Sequence, residues 1–268
     1  MKIECIKEKI LAVISIADKV TGKNPTLPIL SAIFLEATQN SLVIKATNLD
    51  VGVEFSVPVK VVEEGVVVVQ GNVLANLLAN LRDEKVVLET VESGFAVTSV
   101  STGAILKTFP VEDFPIIPKI EEGKKIIMES GVFQSGLTAV GYAAAVTSVK
   151  PELSSVFVYS DGEELVFVAT DSFRLGEKKV LAKKTKDFDG ALIPIKNIAE
   201  ISRFLALSRQ DVEVTMGAGQ ISFSKEGAYM VSRVIDGTFP DYKQIIPKEF
   251  KTEAVLLKQD LVEALKLA

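Results

Sequence analysis

Asp171, Asp236 and Asp241 are the side chains of this sequence best suited by type to acid–base work or to holding a magnesium ion. Either role needs carboxylates that converge on one point. Each of the three also stands beside a turn residue, Thr170, Gly237 or Pro240, where an aspartate shapes the local backbone instead, and the pattern favours that plainer role. Cys5 is the only cysteine and lies next to an apolar helical stripe, where a thiol packs as a small apolar group. One cysteine allows neither an internal disulfide nor a multi-cysteine metal site, and it suits a reducing compartment. The chain has no histidine, which removes Ser-His-Asp and Cys-His arrangements and most zinc sites. Gly217-Ala218-Gly219 lacks the spacing of a phosphate-binding loop and reads as a hairpin turn. The sequence therefore points away from catalysis, and no cofactor or metal is expected.

The elements that would position these residues come in duplicate. From Pro28 the chain reads PILSAIFLEATQNSLVIKAT and from Pro151 it reads PELSSVFVYSDGEELVFVAT, a gap-free alignment at a shift of 151 − 28 = 123 residues with eight of twenty positions identical. The Leu30/Leu153, Phe34/Phe157 and Thr47/Thr170 pairs are among them, and Asp113-Phe114-Pro115 returns as Thr238-Phe239-Pro240. A period this long is a duplicated domain, since solenoid units run to about 20–50 residues. Each copy opens with an amphipathic helix, marked by Ile6, Ile10, Val13, Ile14 and Ala17 in the first and by Phe133, Leu137 and Val140 in the second. Each carries a second helix, with Leu74, Leu77, Leu78 and Leu81 or Ile198, Ile201 and Leu205 on its apolar face. Short apolar runs predict strands over 33–36, 42–46, 51–57, 66–69, 86–89, 96–100 and 105–108, and over 212–215, 221–224 and 230–233. Two helices covering one face of an antiparallel sheet make each copy an α+β domain. The expected division is 1–120, a polar linker at 118–125, then 126–246. Over 247–268 Leu257, Leu261, Ala264, Leu265 and Ala268 form the opening stripe of a third copy, and the chain is expected to stop inside it.

With 268 residues, 48% hydrophobic and 24% charged, the chain has the make-up of an ordinary globular protein. Its net charge of −5 argues against indiscriminate coating of nucleic acid but allows a locally basic surface. No signal pattern opens the chain, and its apolar runs are far too short to span a bilayer, so a cytoplasmic protein without membrane association is expected.

Three stretches, residues 24–30 (NPTLPIL), 169–175 (ATDSFRL) and 236–242 (DGTFPDY), resemble the bacterial DNA polymerase III beta subunit, the sliding clamp, and the tandem organisation agrees from end to end. The resemblance implies a processivity factor built from DNA-clamp domains. Two three-domain chains associate head to tail, helices line the hole, and duplex DNA passes through without sequence readout. Replicative polymerase, clamp loader and repair proteins dock through short peptide motifs. It also implies site residues. The second-domain wall of the partner groove would be Leu153, Thr170, Ser172, Phe173, Arg174, Leu175, Pro240, Gln244 and Ile245. DNA-facing candidates off the apolar stripes are Lys7, Lys19, Lys23, Arg82, Lys150, Lys196 and Arg203, with Asn24 standing where relatives can carry an arginine. Ala104 and Leu106 would add apolar contact at the ring interface. The family is a homodimer at full length, and a monomer is expected for these 268 residues. Two other readings stay open from the residues alone: a tandem-domain intracellular enzyme with its site between the copies, and a monomeric peptide-binding module.

Overall fold

The structure is a computed structural model and describes residues 1–22, 27–146, 149–182, 188 and 190–267. Lys23 and Asn24 lie outside the described residues. The chain forms two compact units, Met1–Gly237 and Thr238–Ala268. The first contains β1 (Lys2–Ile6), α1 (Lys7–Val20), β2 (Ala32–Thr38), β3 (Ser41–Thr47), β4 (Val51–Pro58), β5 (Lys60–Glu63), β6 (Gly65–Gln70), α2 (Gly71–Asn80), β7 (Lys85–Val91), β8 (Gly94–Thr98), β9 (Gly103–Leu106) and β10 (Thr108–Phe109). It continues with β11 (Lys124–Glu129), α3 (Ser130–Gly141), β12 (Ser155–Asp161), β13 (Glu164–Thr170), β14 (Leu175–Leu181), β15 (Ala191–Pro194), α4 (Ile195–Leu205), β16 (Asp211–Gly217), β17 (Gln220–Lys225) and β18 (Ala228–Arg233). The second unit holds α5 (Lys258–Leu267), at the place of the third helical stripe.

The strand orders are β5-β1-β7-β8-β9, β10-β6-β2-β3-β4-β18-β17-β16-β11 and β14-β13-β12-β15, with every strand pair antiparallel. The duplication is explicit in this order. The run β6-β2-β3-β4 recurs as β15-β12-β13-β14, and β1-β7-β8-β9 recurs as β11-β16-β17-β18. Two sheets per repeat, with helices between them and solvent, replace the single sheet expected from the sequence. The two repeats are stitched together where edge strand β4 pairs with edge strand β18, so one nine-stranded sheet runs through both.

Helix α1 buries Ile10, Ile14, Ala17 and Val20, a stripe of i, i+4, i+7 and i+10, against β3 and β4. Full burial of each isoleucine contributes about 1.5–3 kcal/mol. Glu8 in the first turn and Lys19 in the last complement the helix dipole. The helix stops where the Thr21 hydroxyl donates to the Asp18 carbonyl at 2.7 Å and the Gly22 N–H turns away to the Leu30 carbonyl at 2.7 Å. In the second repeat, Phe133 of α3 is fully buried between Phe167 of β13 and Phe223 of β17. A Cβ at Gly136 would collide with the Phe167 ring, so only glycine lets α3 settle this close.

Successive helices pack side by side, α2 on α1, α1 on α4 and α4 on α3, which makes one row across both repeats. Gly219, with φ of 72°, closes the β16–β17 hairpin, the turn anticipated for the Gly217-Ala218-Gly219 stretch. Lys124 and Lys125 belong to β11 instead of a linker, paired with Met216 and Thr215. The Cys5 thiol donates to the Val86 carbonyl at 3.6 Å, and burial pushes its pKa up to about 12. A thiol held that far from ionisation is a poor nucleophile at neutral pH.

Candidate functional site

The loop between β13 and β14 gathers Thr170, Ser172, Phe173, Arg174 and Leu175, five of the nine groove residues expected from the sequence. Its shape follows from two short polar side chains. The Thr170 hydroxyl donates to the Arg174 carbonyl at 2.8 Å and accepts from the Ser172 N–H at 3.1 Å. One Asp171 carboxylate oxygen accepts the N–H groups of Phe173 and Arg174 at 3.0 and 2.9 Å, and the other accepts the Arg174 guanidinium at 2.9 Å. Those backbone donors, with the guanidinium, hold the Asp171 carboxyl below the usual carboxylate range. Asp171 is thus a turn-former, in keeping with its place beside Thr170. Ser172 is forced to a φ of 77°, a left-handed conformation few non-glycine residues adopt.

The same loop exists in the first repeat. The Thr47 hydroxyl donates to the Val51 carbonyl at 2.8 Å and accepts from the Leu49 N–H at 3.0 Å. Asn48 accepts from Asp50 and Val51 at 3.0 and 2.8 Å, and Leu49 has a φ of 74°. There the loop sits at the junction of the repeats, where Asp50 binds the Lys196 ammonium at 2.6 Å. At the position corresponding to Asp50 the second repeat carries Phe173, which is 98% exposed. Phe173 therefore does not line an enclosed pocket; it projects from the loop.

Leu153 is half-buried in the turn that feeds β12, and its carbonyl accepts from the Ala145 N–H at 2.8 Å. A residue that sequence reasoning misses stands at the end of α3. Tyr142 is exposed, and its ring centroid lies 6.0 Å from the Arg174 guanidinium carbon. The packing of α3 on β14 brings the two together, which no spacing in the sequence reveals. Exposed Tyr142 and Phe173, partly exposed Leu175 and the Asp171–Arg174 pair make an aromatic and aliphatic surface with a charged flank. Pro240, Gln244 and Ile245 belong to the second unit. There Gln244 donates to the Asp241 carboxylate at 2.7 Å, the Ile245 N–H donates to the Tyr242 carbonyl at 3.1 Å, and the Ile245 side chain is exposed.

The basic candidates divide. On the four-helix row the exposed charged residues are Lys9 and Lys19 on α1, Lys196 and Arg203 on α4, and one acid, Glu8. Lys9 is an addition to the residues expected from the sequence, although it too lies off the apolar stripe. Lys19 has Asp18 at 3.8 Å, and Arg203 has Glu200 at 3.2 Å. Lys7 serves the fold instead. It is half-buried, and its ammonium donates to the Leu81 carbonyl at 2.9 Å, tying the end of α2 to the start of α1. Arg82 and Lys150 are exposed and lie in connections outside the helices. On β9, Leu106 turns inward and joins the core, while Ile105 on the other face is 57% exposed. Ala104 shares the inward face of Leu106 and is half-buried.

Family models of the DNA polymerase III beta subunit match in two places, the N-terminal domain over residues 1–118 and the central domain over residues 128–241. The beta sliding clamp of Streptomyces coelicolor is 28% identical over 272 residues, covering 99% of this chain and 72% of that protein. Among solved structures, the DNA polymerase III beta subunit of Thermotoga maritima is 28% identical with a TM-score of 0.91, covering 99% of this chain and 73% of that one. The sliding clamp of Bartonella birtlesii bound to griselimycin is 26% identical with a TM-score of 0.91, covering 100% of this chain and 73% of that one.

Proposed function

The chain belongs to the DNA polymerase III beta subunit family, and from that membership we propose how its surfaces divide the work of a sliding clamp. The four-helix row faces duplex DNA. The observation that carries this is the charge of the row: four exposed bases against one exposed acid, in a chain whose net charge is −5. Lys9, Lys19, Lys196 and Arg203 contact phosphates without reading bases, which is what a protein that slides requires. The reading carries a cytoplasmic location with it and no reaction of the chain's own. The protein acts by holding DNA and docking others, and no helix of the described residues is long and apolar enough to cross a membrane.

The test is the salt dependence of binding to duplex DNA. Each phosphate contact contributes a slope of about 0.9 in log K against log salt, so changing Lys9, Lys19, Lys196 and Arg203 together to glutamine should flatten the slope by up to about 3.6. Changing Arg82 and Lys150 should flatten it less. An unchanged slope in the fourfold variant, with folding intact by circular dichroism, overturns the assignment.

The loop surface around Tyr142, Phe173, Arg174 and Leu175 takes short peptides with aliphatic and aromatic anchors, from polymerase, clamp loader or repair proteins. Apolar anchors ringed by a few polar groups are the usual composition of such contacts. In amide shift mapping, a peptide of this kind should move signals at Tyr142 and at 170–176. Shifts confined to the first repeat, or none at millimolar peptide, would count against it.

A further inference from the structure

β10 and β11 are the two outer strands of the nine-stranded sheet, so the connection between them, residues 110–123, has to cross that sheet from edge to edge. Eight strand intervals at about 4.8 Å come to about 38 Å, and the 123 − 109 = 14 residues reach at most about 46–50 Å when extended. The crossing leaves little slack. Phe114 packs on Phe34 of β2 with ring centroids 5.2 Å apart, Ile117 lies on Gly52 of β4, and Ile120 lies on Gly217 of β16. The connection runs on the face away from the helices. Along β4, Val51, Val53, Phe55 and Val57 turn into the core, while Gly52 and Glu54 turn the other way.

At the seam the outward-facing pairs are Gly52 opposite Val231 and Glu54 opposite Tyr229, and the connection grips both. Ile117, only 8% exposed, covers the first pair. A Cβ at Gly52 would stand 2.8 Å from an Ile117 methyl and 3.4 Å from one of Val231, so only glycine leaves the isoleucine its seat. Over the second pair the Lys119 ammonium meets the Glu54 carboxylate at 2.7 Å. The Tyr229 hydroxyl accepts from the Ile120 N–H at 3.0 Å and donates to the Pro118 carbonyl at 3.2 Å. Glycine at this position answers to the connection and not to the loop before it. The register places Leu175 at the matching position, 175 − 52 = 123 residues on, because Gly52 faces Thr47 as Leu175 faces Thr170.

We propose that residues 110–123 are a strap that sets the bend between the two repeats, and with it the curvature of the helix row. A ladder between two strands is compliant by itself, and the angle between neighbouring strands varies widely among sheets. Here the ladder is held from both sides, by α1 packed on α4 on one face and by the strap on the other. Bending the repeats toward the helices stretches a strap with little slack and lifts Ile117 off Gly52. Bending them the other way drives Ile117 into Gly52 and Val231. The strap therefore resists both motions, and the Tyr229 hydroxyl keeps it from sliding along the seam. A change in that bend alters the spacing of α1 and α4, which carry Lys19 and Lys196. The inference goes beyond the DNA-holding reading, because it follows from the course of the connection and is measured without DNA.

The experiment measures distances between spin labels in the full chain, in a Cys5→Ala background. Asn76→Cys on α2 and Ala139→Cys on α3 place the labels at exposed positions on the two end helices of the row. Gly52→Leu should shift the mean distance by about 3 Å, the displacement that a bend of about 10° gives four strands away at about 4.8 Å per strand. It should also speed hydrogen exchange of the Ile120 amide. Tyr229→Phe, which removes only the hydroxyl, should broaden the distance distribution and speed the same amide. Ser56→Leu, exposed on the same face of β4 but clear of the strap, should change neither. An unaltered distribution in Gly52→Leu or in Tyr229→Phe overturns the inference, and where Gly52→Leu does not fold, Tyr229→Phe decides. An equal shift in Ser56→Leu overturns it as well, since any bulk on β4 would then bend the sheet.

Discussion

Phe133→Ala should lower the unfolding free energy by about 3–5 kcal/mol, the range for removing a fully buried phenyl ring. Phe133 has no solvent exposure, and its ring meets Phe167 at 5.1 Å and 81° and Phe223 at 5.3 Å and 74°, both edge-to-face. Such pairs add about 0.5–1.5 kcal/mol beyond area burial. More important is what the ring connects. Phe167 is on β13 and Phe223 on β17, so one helical side chain holds together the two sheets of the second repeat. The collapse that could soften a cavity is blocked, because Gly136 already brings α3 against Phe167. At about 2–4 °C per kcal/mol for a chain of this size, the melting temperature should fall by roughly 6–20 °C. Urea titration of Phe133→Ala and Phe133→Leu checks it, with leucine costing less. An unchanged midpoint for alanine would mean the two sheets are held by something else.

That such a residue could be found at all reflects what the sequence displays. The duplication is local information repeated: the Thr47 and Thr170 loops have the same pair of threonine hydrogen bonds, and the opening stripes of the two repeats bury Ile10, Ile14 and Ala17 and Phe133, Leu137 and Val140, whereas the third stripe, on α5, is exposed. β1 and β11 escape a periodicity reading because each runs straight into a helix, so Ile6 counts toward the helical stripe although it closes a strand. β9 shows a second limit. Alternation says that Ala104 and Leu106 share a face, but not which face is inward, and Leu106 proves to be core while Ile105 is exposed. The union of β4 with β18 joins edges far apart in the chain and leaves no period to read. Individual charges are least legible. Lys7 and Lys9 look alike in the sequence, yet one ties down Leu81 and the other is exposed on the helix row. Tyr142 belongs with Arg174 only because α3 packs on β14.

Phe55→Ala should cost a similar 3–5 kcal/mol, and it should do so by uncoupling the repeats. Phe55 is 2% exposed on β4, its strand partner across the junction is Ala228 of β18, and its ring lies 6.0 Å from fully buried Phe204 on α4. The small Ala228 leaves the ring room to reach across, so Phe55 fills space belonging to both repeats. Its neighbourhood is fixed from the far side as well. The Lys225 ammonium donates to the Phe204, Leu205 and Ser208 carbonyls at 3.2, 2.8 and 3.3 Å, capping α4. It also lies 5.4 Å from the Phe204 ring centroid, and burial pulls its pKa down to about 8. Truncating Phe55 leaves that capped helix facing a void, and what remains across or beside the seam includes the β4–β18 ladder, the packing of α1 on α4, the Tyr229 hydroxyl bonds to the backbone of Pro118 and Ile120, and the surface pairs Lys196–Asp50 and Lys119–Glu54. Exposed pairs of that kind contribute about 0–1 kcal/mol each and cannot replace the ring. The wild-type unit should unfold as one cooperative transition, whereas Phe55→Ala should show two, each with a smaller denaturant dependence because each exposes less surface. Fluorescence, far-ultraviolet circular dichroism and hydrogen exchange resolved by repeat should then cease to coincide. A single transition with wild-type slope and a lowered midpoint would show that strand pairing alone couples the repeats, and that Phe55 contributes only its own burial.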